Sequence, residues 1–317
     1  MSRLRFQLAP WTTYFVTSRC LMGYLFMRPC KQTNKIIAGV AAHVKQRYGE
    51  SIKLHNGVFL SNHYHLLITP FDQRVLGDFM RDFNSALAKE IGLIHDFHGH
   101  LWHTTYKASP VLDEVALEER YRYIFANSVK EGLVEHPRDW PGIHAYRALC
   151  EGEEIEGVWV DRTRLYQAEQ RAKLKCNQGK PKPTEADFSE SLILTFDGPP
   201  PLWGDLSDEE YRALCQRLAD EVVQKYAEQR AEKGERVMGA EAVMRQPVMD
   251  KRFVKRSVTP LYHAKCIERT REYKEAYWAF VASFKEASHA LRSHVARTCC
   301  TLEVVFPEGG VPLAGGG

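Results

Sequence analysis

Residues 63 to 65, His-Tyr-His, sit inside the apolar run LSNHYHLLITP at positions 60–70. Side chains alternate across a strand, so His63 and His65 project to one face and Tyr64 to the other. Two imidazoles on a rigid strand can converge on one divalent ion. A neutral set of imidazoles plus an amide oxygen would leave positions open for phosphate oxygens and water. The same spacing suits a pair of half-buried histidines on a sheet, and spacing alone does not separate the two. A second candidate pair lies in DEVALEERYRYIFANSVKEGLV, 113–134. With Leu117 as origin and about 100° per residue, Leu117, Tyr121, Ile124 and Ser128 cluster within roughly 60° as a core stripe. Tyr123 and Asn127 fall at about 240° and 280°, off that stripe and beside each other. A tyrosine and an amide four residues apart thus share a face not needed for packing. Tyr121 lies in the stripe instead.

Elements of alternating type must position these residues. TTYFVTSR (12–19) is β-branched and aromatic and reads as a strand. CKQTNKIIAGVAAHVKQRYG (30–49) has Ile36, Ile37, Val40 and Val44 at helical spacing, with Gly49 as a stop. IKLHNGVFL (52–60) and HYHLLIT (63–69) are two strands joined at Ser61 and Asn62. Residues 73–93 carry Val75, Leu76, Phe79, Met80, Phe83 and Leu87 on one helical stripe. WHTTYKASPVL (102–112) reads as a strand, and 113–134 as a helix opened by acidic residues that suit its dipole. The order β-α-β-β-α-β-α predicts an α+β, ferredoxin-like split βαβ sandwich: one antiparallel sheet with helices on one face. The histidine strand belongs to its hairpin.

The character changes after residue 150. PKPTEADF and FDGPPPLWGD are rich in proline and read as linker, within 151–205. A polar helix follows over 206–234, with Ser207 and Glu210 at capping-box spacing and Gly234 as its stop. A second long helix covers 263–293, with Tyr273, Tyr277, Phe280, Phe284 and Leu291 as its candidate stripe. The expected organisation is a domain at 1–150, a linker at 151–205, a mainly helical C-terminal domain at 206–305 and a disordered tail at 306–317.

The 317 residues are 44% apolar and carry a net charge of +3 with pI near 8.3. Any nucleic-acid binding must therefore come from local patches. No apolar stretch reaches membrane-spanning length, and MSRLRFQLAPW has no signal-peptide core, which together predict a cytoplasmic protein. None of the eight cysteines forms a C-x-x-C pair, so neither a zinc ribbon nor a redox motif is supported.

Four segments in register carry a resemblance. NHYHLLI, GHLWHTTYKAS, RYRYIFANSVKEGLV and RDWPG look like the HUH single-strand DNA transposases, and within them the REP-associated tyrosine transposases. The pattern is His-hydrophobic-His on a strand, Trp in a G-H-x-W segment, and Tyr-Ile-x-x-Asn-Pro on a helix. The match spans roughly residues 10 to 147. It implies that His63 and His65 hold a metal, Mg²⁺ or Mn²⁺, with Asn127 as third ligand and Tyr123 as nucleophile. It implies cleavage and rejoining of single-stranded DNA with a hairpin at the element end, through a 5′-phosphotyrosine, by a nucleoid-associated enzyme. Two positions depart from the pattern. Asn-Pro is Asn127-Ser128 here, which keeps the amide, and the proline before Asn-His is Ser61.

An alternative function is a domesticated protein that binds DNA hairpins without cutting; the presence of all four site residues argues against it. A replication initiator or relaxase would share the chemistry, but fits the motif spacing less well. HDFHGHLWH carries His95, His98, His100 and His103, either a second metal site or polar loop histidines. Trp102 could stack on an unpaired base or fill the core between sheet and helix. KRFVKR places Lys251, Arg252, Lys255 and Arg256 in six residues, a candidate phosphate contact or a solvated cluster. The extension that carries them is expected to contact the DNA flanking the cut.

Overall fold

The computed structural model describes residues 8–174, 182–250 and 260–301. The chain divides into two compact units, 1–267 and 268–317. In the first, β1 (Tyr14–Arg19), α1 (Lys31–Tyr48), β2 (Ile52–Phe59), β3 (His63–Pro70), α2 (Gln73–Ile94), β4 (Lys107–Pro110) and α3 (Glu114–Lys130) follow the expected order. The sheet has strand order β2-β3-β1-β4, antiparallel throughout. Register on the central pair sets Thr17 opposite His65 and Arg19 opposite His63. The strand expected over 102–112 forms only over Lys107–Pro110. Trp102 makes an isolated bridge to Cys20, and the residues between it and β4 bend without forming a strand.

Local sequence fixes the helix starts. The Asp72 carboxylate accepts the Val75 N–H at 2.8 Å to open α2, and Asp113 accepts that of Ala116 at 2.8 Å to open α3. Alternation on β3 then divides two cores. Tyr64, Leu66 and Ile68 join Phe79 and Phe83 of α2 and Ile37 and Val40 of α1 on one face. Leu67 joins Phe15, Leu117, Tyr121 and Ile124 on the other. The expected α+β sandwich is thus an antiparallel sheet with α1 and α2 on one face, and α3 adds a layer on the opposite face. That is the face to which His63 and His65 project.

Residues after 150 add layers to both sides. The stretch 151–205 carries β5 (Ile155–Val160), α4 (Arg162–Leu174) and β6 (Ser189–Leu194), with β5 and β6 paired antiparallel. This hairpin lies on α1, adding Ile155, Leu192 and Leu194 to that core. The approach is close because both contact residues lack a side chain. A Cβ on Gly39 would meet the Val158 carbonyl oxygen at 2.1 Å, and one on Gly157 would meet the Gly39 nitrogen at 2.1 Å. On the other side α5 (Asp208–Lys233) covers α3. Its Ser207–Glu210 capping box forms, and Gly234 ends it at φ 64°. Tyr121 and Tyr211 join hydroxyl to hydroxyl at 2.6 Å between these helices, and Arg122 pairs with Glu221 at 2.7 Å. A short α6 (Ala240–Arg245) follows. The second unit is described by α7 (Ile267–Thr301), along which Tyr273 and Tyr277 stack at 6.1 Å and Phe280 and Phe284 at 6.3 Å. The tail 306–317 and the Lys251–Arg256 cluster lie outside the described residues. Among the described residues no helix is long and apolar enough to cross a membrane.

Candidate active site

β1, β3 and α3 converge on one cluster. The His63 and His65 rings are 5.0 Å apart and nearly perpendicular. The Tyr123 ring meets that of His65 edge-on at 5.1 Å. Asn127 is 1% exposed, and its side-chain oxygen stands as an acceptor for a protonated His63. The four residues singled out by spacing are therefore neighbours, although two come from a strand and two from a helix about 60 positions later.

The state of the histidines follows from their surroundings. Burial lowers the pKa of His63 to about 3, helped by the charge of Arg19 and opposed by the bond with Asn127. His65 is held well below its ordinary value, first by burial and then by His63, Lys130, Arg19 and Arg120. Both rings are neutral near pH 7. His63 Nδ1 lies 2.6 Å from Asn62 Oδ1, whose own amide nitrogen donates to the Gly23 carbonyl at 3.2 Å. Asn62 thus presents an oxygen and fixes the His63 proton on Nδ1, leaving Nε2 with a free lone pair. Such an outer partner is a usual companion of a metal-binding imidazole.

A buried polar group without a partner is costly, and here several sit together. Neither ring nitrogen of His65, which is 5% exposed, has a hydrogen-bond partner, and the Asn127 amide nitrogen also lacks one. Neutral imidazoles with open lone pairs beside an amide are a donor set that fits a divalent ion with positions left for oxygen ligands. Among the described residues no three His, Cys, Asp or Glu side chains are grouped closely enough to hold a metal, the histidines of 95–103 included. His95 binds the Phe26 carbonyl through Nε2 at 2.8 Å instead.

Phe15, Arg19, Arg120, Lys130 and His263 also belong to the surroundings, and sequence patterning did not select them. Phe15 stacks on His65 at 5.1 Å and meets Tyr123 edge-on at 5.6 Å. His263 packs edge-on against Phe15 at 5.5 Å, from a segment that pairs with Val111 just beyond β4. The Arg120 guanidinium lies 5.3 Å from the Tyr123 ring centre and the Lys130 ammonium 4.6 Å from it. Arg120, Tyr123, Asn127 and Lys130 are spaced 3, 4 and 3 apart, one stripe of α3, a signal that was present in the sequence. Phe15 and Arg19 had no such signal, because only strand register brings them to the histidines.

Trp102 lies elsewhere. Its indole N–H donates to the Asn84 carbonyl at 2.9 Å and its ring meets Tyr64 edge-on at 5.6 Å, on the α1 and α2 face. Lys251, Arg252, Lys255 and Arg256 fall outside the described residues.

No protein-family model matches the chain. No curated protein matches it either. Among solved structures the chain is similar to a REP-associated tyrosine transposase bound to a REP hairpin. Identity is 18% and the TM-score 0.39, over 48% of this chain and 87% of that one. It is also similar to a proposed transposase from Deinococcus radiodurans R1, at 15% identity and TM-score 0.28, over 39% of this chain and 93% of that one.

Proposed function

We propose that the chain is a metal-dependent DNA transposase or strand-transfer nuclease that cuts and rejoins single-stranded DNA through Tyr123. The observation that carries this reading is the Tyr123 ring at 5.1 Å from a buried His65 whose two ring nitrogens have no partner. A binding protein gains nothing from such a cluster, because each unmade hydrogen bond costs it stability.

His63, His65 and Asn127 would hold Mg²⁺ or Mn²⁺, with the His63 proton parked on Asn62. The ion supplies charge neutralisation at the phosphate and at the departing 3′-oxygen. Tyr123 forms a bond from its phenolic oxygen to phosphorus while the bond to the 3′-oxygen breaks. The phenol gives up its proton, the leaving 3′-oxygen takes one, and the 5′-phosphate remains on Tyr123. Attack by another 3′-hydroxyl reverses the step, so strands are exchanged without an added energy source. Phe15 keeps the His65 plane and the Tyr123 edge in place throughout. The proposed substrate is single-stranded DNA beside a hairpin, with the extension after residue 150 and its Lys251–Arg256 cluster touching the flanking duplex.

A fluorescent single-stranded oligonucleotide carrying the element end, mixed with the protein and Mn²⁺, should give a covalent band on a denaturing gel. Tyr123→Phe should lose the band and retain binding. A band of wild-type intensity in Tyr123→Phe would overturn the assignment.

A further inference from the structure

We infer that Arg120 and Lys130, backed by Arg19, form a seat for the non-bridging oxygens of a nucleic-acid phosphate and hold that phosphate against Tyr123. This rests on the function proposed above and assigns substrate contacts that neither the metal set nor the nucleophile supplies.

Arg120 and Lys130 bracket Tyr123 and Asn127 on one stripe of α3, and both charges lie over the Tyr123 ring at 5.3 and 4.6 Å. Arg19 reaches the same place from β1, where it stands opposite His63. Three cations within one small cluster repel one another, offset in part by Glu119 beside Arg120 and by Glu131, which acts on both Lys130 and Arg19. The nearest to Arg120 is Glu119 at 3.8 Å, and Glu119 is itself engaged by Lys265 at 2.9 Å. Lys130 has Glu131 at 3.5 Å. Among the described residues no carboxylate lies within ion-pair distance of Arg19. The Arg120 side chain is only 19% exposed, and its Nε is buried without a hydrogen-bond partner.

A structural guanidinium at that depth is ordinarily paired, since burying an unpaired charge is costly. A buried cation with an idle Nε donor beside an ion-binding set is placed for an anion that arrives later. The planar fork of Arg120 suits two phosphate oxygens, and Lys130 adds a point charge. Carboxylates are missing from the histidine and asparagine set, so a bound phosphate would meet the charges of Arg120 and Lys130 with no acidic ligand in that set. That arrangement favours a polyanionic strand over a neutral ligand.

Two measurements separate this seat from the chemistry. In EDTA, with Tyr123→Phe protein, fluorescence anisotropy of single-stranded (dT)20 is followed against salt. Arg120→Gln and Lys130→Gln should each flatten the slope of log affinity against log salt by about 0.7, one phosphate contact on a single strand. Unchanged slopes in both variants, with melting temperatures like the parent's, overturn the seat whether or not the protein cuts DNA. The second measurement uses an oligonucleotide that the wild type cleaves with Mn²⁺. Arg120→Gln should slow adduct formation at saturating DNA by about a hundredfold, as loss of one charge-stabilising donor does. Mn²⁺ affinity read by calorimetry should be unchanged, and Arg120→Lys should recover part of the rate. A methylphosphonate at the cut position replaces one charged oxygen by methyl. For one of its two diastereomers the Arg120→Gln penalty should largely vanish. A penalty of the same size on both diastereomers and on the natural phosphate overturns the direct contact. Failure of every oligonucleotide to form an adduct would sink the proposed function, while the salt slopes would still decide the seat.

Discussion

The two faces of the β2-β3-β1-β4 sheet are built from the same strands and behave oppositely. On the α1 and α2 face, β3 contributes Tyr64, Leu66 and Ile68, whose single polar side-chain atom has a partner. The Tyr64 hydroxyl donates to Asn84 Oδ1 at 2.7 Å, and the Trp102 N–H to the Asn84 carbonyl at 2.9 Å. On the α3 face the next residues along β3 are His63 and His65, beside Asn127, and polar atoms there stay without partners. The β3 side chains on one face are satisfied as they stand; those on the other are complete only with something added. Unmade hydrogen bonds in a well-packed protein mark where a ligand belongs.

Core truncation on the closed face should give the largest effect. Leu66 is 2% exposed within that core, so Leu66→Ala should cost about 3 kcal/mol of stability. Urea unfolding checks this, and the metal affinity of the folded variant should be unchanged.

Metal addition sharpens the contrast from the other side. Mn²⁺ at a hundred times its dissociation constant should stabilise the wild type by about 2.7 kcal/mol. EDTA should reverse this, and His65→Leu should abolish it. An equal shift in His65→Leu would move the ion to another site.

His55 tests whether partnerless atoms, rather than histidines as such, set the open face apart. It sits at a bulge of β2, with Nδ1 2.6 Å from the Gly198 carbonyl and Nε2 2.8 Å from the Thr69 hydroxyl. A carbonyl only accepts, so Nδ1 carries the proton and Thr69 donates to Nε2. Burial lowers its pKa to about 4 from 6.5. Above pH 6.5 neither folded nor unfolded His55 binds a proton. As pH falls from 6.5 toward 4 the unfolded chain takes one that the folded chain refuses, so stability is lost in that window. The loss grows across that whole window, and His55→Gln should make it shallower. A fall of the same depth in His55→Gln would assign the pH dependence to other groups.

The smallest effects make the most local comparison, because they have opposite sign at adjacent residues. Tyr64→Phe should destabilise the metal-free protein by about 1 kcal/mol, since it strands Asn84 Oδ1. His65→Leu should stabilise the metal-free protein by about 1 kcal/mol, since it removes two buried nitrogens without partners. Destabilisation by both would mean that the His65 nitrogens are satisfied in solution.

Much of this contrast was legible in the sequence, because it depends on local periods. Alternation along 63–70 set the two histidines on one face, and the 3.6-residue period of α3 separated Tyr123 from Tyr121. Tyr121 is fully buried, with its hydroxyl on Tyr211. Ser207, Glu210 and Gly234 marked the ends of α5 because caps are local too. What depends on pairing between distant residues was not legible. Arg19 and Phe15 reach the site through the register of β1 on β3. The β5 strand pairs with β6 across about 30 residues and is seated by Gly39 against Gly157, a backbone contact with no periodic trace. The prolines near this stretch dominated its reading, and Pro183, Pro199, Pro200 and Pro201 lie outside its strands.

The central claim is that Tyr123, beside the unpartnered histidines, becomes joined to DNA. Its most direct measurement is peptide mapping of the protein after incubation with single-stranded oligonucleotide and Mn²⁺. The expected result is a nucleotide mass on the peptide containing Tyr123, attached through a 5′-phosphate, with a free 3′-hydroxyl on the released strand. Attachment to Tyr121 or any other residue, or a 3′-phosphate linkage, would contradict it.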